Sequence, residues 1–235
     1  MKETGSAAET ILAKQIRVRT RNRRGEGGKL RDEIIDAAAE LLDETGDQHA
    51  ITLRSVARRV GIATPSIYPH FPDPSAIMLA VVRQEFAALE SALGAAAERA
   101  GDDPRGRLLA VCETYLDFAE RHPRRYRTMF GGVWTPTPAD SSLTESDLVG
   151  LGAPSLLILV EALEECVAAG VVAGDDVYCD ATLLWVGLHG LAHQRVVSPA
   201  YPWPGNIHER VILPLARLNT ARPGHTVVAT QRTAW

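Results

Sequence analysis

Residues 52–71 constrain this chain most, because they contain two short helix-forming segments that meet at Gly61. In the first segment, apolar residues recur at three- and four-residue spacing and leave the arginines on the opposite face. The Thr52 hydroxyl can cap its first turn, and Gly61 can adopt the left-handed backbone that ends a helix. In the second segment, Thr64 can act as the cap and Pro65 suits the first helical position. This layout predicts a helix-turn-helix, a motif that places a helix in the major groove of DNA.

The rest of the chain also follows helical spacing, with neither alternating strands nor an internal repeat, so the predicted fold class is all-α with about nine helices. Ser75, Asp180 and Asn206 are expected to cap the helices that follow them. A loop is expected over 131–153, which is rich in Gly, Pro, Ser and Thr. Besides the two helices of the motif, helices are expected over 29–45, 75–100, 105–122, 124–130, 154–169, 180–198 and 206–219.

The formal net charge of −4 conceals an asymmetry along the chain. Residues 1–71 carry 12 Lys and Arg against 10 Asp and Glu, so the remainder is acidic. The basic residues concentrate in 14–31, and such a run repels itself, so we expect a disordered arm in the free protein. A basic arm beside a helix-turn-helix suggests phosphate or minor-groove contact; a solubilising tail without a DNA role is the alternative.

Composition also bears on location and cofactors. No apolar run approaches the about 18 residues of a membrane span, and the first 13 residues lack an apolar stretch of signal-peptide length. We therefore expect a cytoplasmic protein with no membrane partner. Cys112, Cys166 and Cys179 are widely separated, which favours buried free thiols over a disulfide framework or a zinc finger, and no cofactor is expected.

The order of these parts resembles the TetR/AcrR family of bacterial transcriptional regulators. In the front part, over 29–79, the resemblance rests on the Gly46 stop, Leu-Arg-Ser-Val-Ala at 53–57, Gly61 with Ile62, and Ser-Ile-Tyr-Pro-His-Phe at 66–71. The back part resembles one branch of the family, whose ligand domain is named for a Trp-His-Gly signature. The segments that carry this second resemblance are 185–190 and 122–130.

The resemblance implies a domain organisation and a function. Residues 29–74 would form a three-helix DNA-binding domain and 75–219 a helical ligand-binding and dimerisation domain, flanked by the basic arm 1–28 and a tail over 220–235. The implied protein is a ligand-responsive homodimeric repressor that binds a palindromic double-stranded DNA operator and an unidentified small-molecule effector. The last two helices would pair across the two-fold axis.

Base-reading side chains are expected on the exposed face of the second motif helix, near its start. Pro69 removes a backbone donor and should shorten that helix, so readout should come from its first turn. Tyr68 and His70 suit phosphate contact, with packing inside the domain as the alternative. Thr52 and Arg54 lie at the positive end of the preceding helix, which favours phosphate. The predicted DNA-binding residues are Arg21, Arg23, Arg24, Thr52, Arg54, Thr64, Pro65, Ser66, Tyr68 and His70.

The resemblance also implies a small-molecule pocket between the back helices. Pockets are mostly apolar with a few polar groups, but an aromatic stripe at helical spacing is equally compatible with a packed core. The predicted lining residues are Tyr115, Phe118, Tyr126, Met129, Phe130, Trp134, Trp185, His189 and His193.

Two alternatives to a repressor remain open from the sequence. His189 and His193 stand one helical turn apart, a spacing that can chelate a metal, so a helical metal-dependent enzyme is one alternative. However, no Glu lies between them to act as a base, and no nucleophile elbow or phosphate loop is evident. A transcriptional activator of the same fold is the other alternative.

Overall fold

The computed structural model describes residues 27–132, 134, 136 and 138–218. This part of the chain contains nine α-helices and three short 3₁₀ turns, and no strand. The predicted all-α class is therefore confirmed. Two hydrophobic cores organise the helices, one at the front of the chain and one at the back.

The front domain begins with α1 (Gly27–Thr45), which ends where Gly46 adopts a positive φ of 66°. Helix α2 (Leu53–Val60) starts from a capping box in which Thr52 and Ser55 each accept a hydrogen bond from the other's backbone N–H. Gly61 has the left-handed conformation (φ 78°) that ends α2 and turns the chain. These stop and start signals lie where the sequence predicted them.

The segment after Gly61 is held in place by side chains that it contributes to the front core. Ile67 and Phe71 are buried against α1 and α2, and the first turns of the next helix complete this core. That helix, α3 (Pro74–Arg99), is capped by Asp73, which accepts from the N–H of Ala76, and not by Ser75 as predicted. The acceptor therefore lies two residues earlier, and Pro74 occupies the first helical position, where a missing N–H costs nothing.

The back domain packs six further helices around the second half of α3. They are α4 (Pro104–Arg121), α5 (Pro123–Phe130), α6 (Glu145–Val149), α7 (Ala153–Ala168), α8 (Val177–Val197) and α9 (Ile207–Leu215). Leu89 and Leu93 of α3 belong to this back core, whereas Ile77 and Val81 of the same helix belong to the front core. The two cores therefore meet within one continuous helix.

Several predicted helix ends and one predicted loop were wrong. Residues 131–153 include α6, whose capping box joins Thr144 to Asp147. Asp176, not Asp180, caps α8, and Asn206 makes no side-chain capping bond to α9. Helix α9 ends at Leu215, one residue after Pro214, and so stops short of the predicted 219. Of the cysteines, Cys112 and Cys166 are buried free thiols, but Cys179 is exposed in the first turn of α8.

Within the described part of the chain, one helical segment has the length and apolar composition that could cross a membrane. This segment is Glu145–Ala168, whose most apolar stretch of 18 residues has a mean hydropathy of 1.6. A turn at 150–152 divides it into α6 and α7, and α7 contributes Leu159, Leu163 and Cys166 to the back core. Its apolar character is therefore explained, in part, by packing inside the protein.

An ion pair ties the segment just after α9 to α8. Asp180 is buried, and its Oδ1 lies 2.8 Å from an Arg217 side-chain nitrogen. A second nitrogen of Arg217 donates to the carbonyl of Ala173, at 3.4 Å. Asp180 therefore serves as a tertiary partner of Arg217 instead of a helix cap.

We expect Arg217→Ala to lower the free energy of unfolding by about 1–2 kcal/mol, because it leaves a buried carboxylate without its cation. The expected loss is below the ~3–5 kcal/mol of a fully buried pair because Arg217 is half exposed. Denaturant unfolding measures it. Arg121→Ala, which removes an exposed pair with Asp117, is the matched control and should change stability by less than about 0.5 kcal/mol. Equal effects of the two variants would contradict the anchoring role.

Candidate DNA-reading surface and effector cavity

The segment after Gly61 presents a short polar edge to solvent. Thr64–Ser66 forms a single 3₁₀ turn in which Pro65 and Ser66 are exposed and Thr64 is half-buried. The turn starts from Ala63 without a side-chain cap, so Thr64 does not have the capping role predicted for it. Its hydroxyl makes no hydrogen bond to any described residue and can serve another partner.

The second helix predicted for the motif does not form, and turns take its place. Residues 67–70 form turns, in which the N–H groups of His70 and Phe71 both donate to the carbonyl of Ile67. Pro69 has no N–H with which to extend a helical ladder, as expected. Tyr68 is 57% exposed, whereas His70 is half-buried. The segment thus offers outward side chains over two turns, held by the completely buried Ile67.

The arginines of α2 divide into two groups. Arg54 and Arg58 are exposed and form no ion pair with a described residue. Arg59 instead donates to Glu40 and Glu44 of α1, and these contacts raise its pKa. Arg59 therefore joins α1 to α2, leaving Arg54, in the first turn of α2, available for an anion.

The remaining predicted phosphate contacts are Thr52 and three arginines of the basic arm. Thr52 is exposed, but its hydroxyl accepts from the N–H of Ser55 at 3.0 Å, so it would have to share its oxygen with any ligand. Arg21, Arg23 and Arg24 lie outside the residues that the structure describes. Their role remains a prediction.

A cavity of about 520 Å³ lies between α3, α4, α5, α7 and α8. This volume falls in the range of about 300–1,000 Å³ that is typical of small-molecule sites. No charged side chain lines it among the described residues; polar groups come from Tyr115, Ser155, Tyr178 and Trp185. The lining residues predicted from the sequence that do border it are Tyr115, Met129, Phe130, Trp134 and Trp185.

The other four predicted lining residues lie behind or beside this cavity. Phe118 is buried with its ring centroid 5.1 Å from that of His122. Tyr126 is buried, with its hydroxyl 2.8 Å from Nδ1 of His189. His193 is half-buried and stacks beside His189.

His189 is the centre of a polar cluster against the cavity wall. The hydroxyl of Tyr115 lies 3.2 Å from the same Nδ1 that Tyr126 approaches more closely. A ring nitrogen offers either one lone pair or one N–H, so it cannot fully satisfy both hydroxyls. Burial lowers the pKa of His189, and His193 lowers it further. Burial also raises the pKa of Tyr126, to about 12.

The arrangement around these histidines does not favour a metal centre. Nδ1 of His189 already faces two tyrosine hydroxyls. The described residues contain no cluster of three His, Cys, Asp or Glu side chains that could hold an ion. Two histidines alone provide fewer protein ligands than a typical zinc site.

Sequence reasoning missed the contribution of two elements to the cavity. Val82, Phe86 and Leu89 of α3 border it, although none of them was among the lining residues predicted from the sequence. Leu148 and Val149 of α6 also border it. The spacing Thr-x-x-Asp at 144–147 is a capping signature that could have identified α6.

Two protein-family models match successive parts of the chain. The model described as bacterial regulatory proteins, tetR family, matches residues 34–81. A second model, described as the tetracyclin repressor-like C-terminal domain, matches residues 108–218. The first match covers the surface around Thr64, and the second covers most of the cavity wall.

The chain is also similar to individual proteins. The transcriptional activator FasR of Mycolicibacterium smegmatis is 32% identical over 120 residues, which are 50% of this chain and 54% of FasR. The nucleoid occlusion factor SlmA of Photobacterium profundum is 33% identical over 104 residues, 43% of this chain and 51% of SlmA. The chain thus spans about half the length of these curated relatives. A protein of unknown function from Rhodococcus sp. RHA1 superimposes with a TM-score of 0.66 and 25% identity, covering 83% of this chain and 96% of that protein.

We expect acidification to destabilise the protein partly through His189. Since its pKa is lowered in the folded state, the unfolded chain takes up a proton first as the pH falls through about 6.5, and unfolding becomes easier. Denaturant unfolding at pH 7.5 and 5.5, at one protein concentration, measures this loss. His189→Gln should lose less stability over that interval than the wild type. His49→Gln, at an exposed position, controls for the removal of a histidine. An identical loss of stability in the wild type and in His189→Gln would contradict the contribution of His189 to acid destabilisation.

Proposed function

The chain belongs to the TetR family of bacterial regulatory proteins, which are DNA-binding transcriptional regulators, and from this premise we propose that it is a ligand-responsive homodimeric repressor of a palindromic operator. One observation supports this most strongly. A single helix, α3, contributes to the core beneath the exposed Thr64–Ser66 turn and also to the wall of the cavity. An occupant of the cavity and a DNA duplex would therefore act on the same helix.

In this proposal the Thr64–Ser66 turn reads the bases. Thr64 and Ser66 offer hydroxyls that can hydrogen-bond to base edges, and the ring of Pro65 can contact a thymine methyl. Tyr68, His70, Thr52 and Arg54 would contact phosphates, which position the protein without selecting sequence. The arm residues Arg21, Arg23 and Arg24 would add phosphate or minor-groove contacts.

A homodimer is favoured by an apolar stripe on α8. Leu183, Val186 and Val197 are each just over half exposed and follow helical spacing along one side of the helix. Gly190 lies on that side, and a Cβ built there would meet open space. Pairing of α8 and α9 with a second copy would bury the stripe and place two reading turns on one duplex. Recognition elements about 34–36 Å apart would then match successive turns of B-DNA.

The proposed effector is a small, mostly apolar molecule without a charge on its buried part. A buried charge would lack an opposite partner in the described lining. The Tyr115 hydroxyl provides a polar group for orienting such a molecule. Its binding can regulate DNA affinity only if the molecule binds the DNA-competent and DNA-free conformations with different affinity.

An activator of the same fold remains the second candidate because FasR, which resembles this chain over half its length, is named as an activator. The metal-dependent enzyme is set aside, since the chain's relatives are regulators and not enzymes and the His189–His193 pair lacks further ligands. A cytoplasmic location follows from the proposed operator binding.

We expect Thr64→Ala with Ser66→Ala to weaken binding to a preferred duplex by about 1–3 kcal/mol and to relax sequence preference, since base contacts are lost. Arg54→Ala should weaken all duplexes alike and lower the log–log salt slope by about one. Replacing Arg21, Arg23 and Arg24 with Ala should lower that slope by about one per lost phosphate contact. Fluorescence anisotropy with a duplex selected from a random pool measures all three.

The control is Arg121→Ala, which removes an exposed arginine of α4 and should leave both affinity and slope unchanged. An unchanged salt slope in the variant that lacks Arg21, Arg23 and Arg24 would show that the arm makes no phosphate contacts. Equal affinity of the wild type for the selected duplex and for a scrambled one would contradict sequence-specific DNA binding altogether.

A further inference from the structure

We propose that residues 141–152, which include α6 and are called the strap below, transmit effector binding from the cavity to the start of α3. This inference rests on the proposed function, because it needs both an effector in the cavity and DNA at the reading turn. It concerns the route of regulation. The strap touches the cavity and also holds the first turns of the helix that supports the reading turn.

The first tie joins the strap to the cap of α3. Asp73 accepts from the N–H of Ala76 through Oδ1, at 2.8 Å, which is the capping bond. Its other oxygen, Oδ2, accepts from the N–H of Ser142 at 2.7 Å. Burial alone would raise the pKa of Asp73, but the donors from Ala76 and Ser142 outweigh it and lower the pKa. One carboxylate thus serves the helix start and the strap together.

The second tie lies ten residues further along α3, about 15 Å up the helix. Here an Arg83 nitrogen lies 2.9 Å from Oδ1 of Asp147. The other oxygen of Asp147 accepts from the N–H of Thr144 at 3.0 Å, which closes the capping box of α6. Because Asp147 is held by both the helix and the strap, movement of α6 acts directly on Arg83.

The cavity side of the strap is apolar and incompletely covered. Leu148, Val149 and Leu151 border the cavity, and Val149 is 82% exposed, which is unusual for a valine beside a hydrophobic space. Gly152 (φ 78°) lies so close to the Phe86 ring that a Cβ there would be only 2.8 Å from it. An apolar effector would gain contact with Val149, and the strap has little room to move toward α3.

These contacts define how the two binding events would interact. An effector that displaces the strap outward weakens both ties and frees the first turns of α3. Those turns include Ile77 and Val81, which belong to the front core together with Ile67. Trp134, which borders the cavity and packs against the front core, lies in the same region. The effector-bound conformation is therefore expected to hold the reading turns less firmly and to bind DNA more weakly.

A route through α5 is the competing explanation. Met129 and Phe130 of α5 border the cavity, and Arg125 of the same helix lies 3.4 Å from the buried Glu85 of α3. Unlike the strap's tie to Asp73, this contact reaches α3 beyond Val81, the last α3 residue of the front core.

The test uses the full chain, a duplex selected by it from a random pool, and the uncharged apolar dye N-phenyl-1-naphthylamine as probe. The strap variant combines Asp73→Ser with Arg83→Met. Serine is a good helix cap but has one oxygen, so the capping bond to Ala76 is retained while the tie to Ser142 is lost. Arg125→Met cuts the α5 route, and Arg121→Met, which removes an exposed ion pair on α4, is the matched control.

Saturating dye should weaken DNA binding at least fivefold in the wild type, in Arg121→Met and in Arg125→Met. In the strap variant the dye should bind within about twofold of its wild-type Kd yet change DNA affinity less than twofold. The role of the strap would be contradicted if the dye weakened DNA binding fully in the strap variant, or if this effect were lost only in Arg125→Met. Either result would leave the proposed function intact. Failure of the wild type to bind DNA or dye, or to couple the two, would overturn both.

Discussion

The continuity of α3 is the constraint on which the rest of this structure depends. It runs for 26 residues, about 39 Å, and carries Ile77 and Val81 into the front core and Leu89 and Leu93 into the back core. The only proline in this helix occupies its first position, where it breaks no hydrogen bond. The two domains therefore share one rigid element, and neither can rotate without moving residues packed in the other.

The surface at Thr64–Ser66, for which we propose base reading, is built with little regular structure. Ile67 is completely buried and Phe71 nearly so, and they fix the backbone of the intervening turns although Pro69 prevents a regular helix. Tyr68 and Ser66 can then point outward without an energetic need for a partner in the protein. Further along α3, Tyr115 presents a polar group to the cavity with Tyr126 and His189 behind it, whereas α6 contributes apolar lining.

The local signals in the sequence predicted most of the fold, because capping and helix termination depend on neighbouring residues. Gly46, Gly61 and the Thr52 cap were predicted in this way. Asp180 illustrates what a local pattern cannot supply: it resembles a helix cap, but its partner is Arg217, 37 positions away in the chain. Likewise, helical periodicity identified the apolar faces that carry Tyr115 and Tyr126. It could not predict that only Tyr115 borders a void, since that depends on how several helices pack together.

The most direct measurement of the central claim, that cavity and reading turn share one equilibrium through α3, is the dye affinity with and without saturating DNA. Coupling between two binding sites is reciprocal in free energy. The selected duplex should therefore weaken N-phenyl-1-naphthylamine binding by the same factor by which the dye weakens DNA binding. A dye Kd that does not change when the duplex is bound would contradict the account.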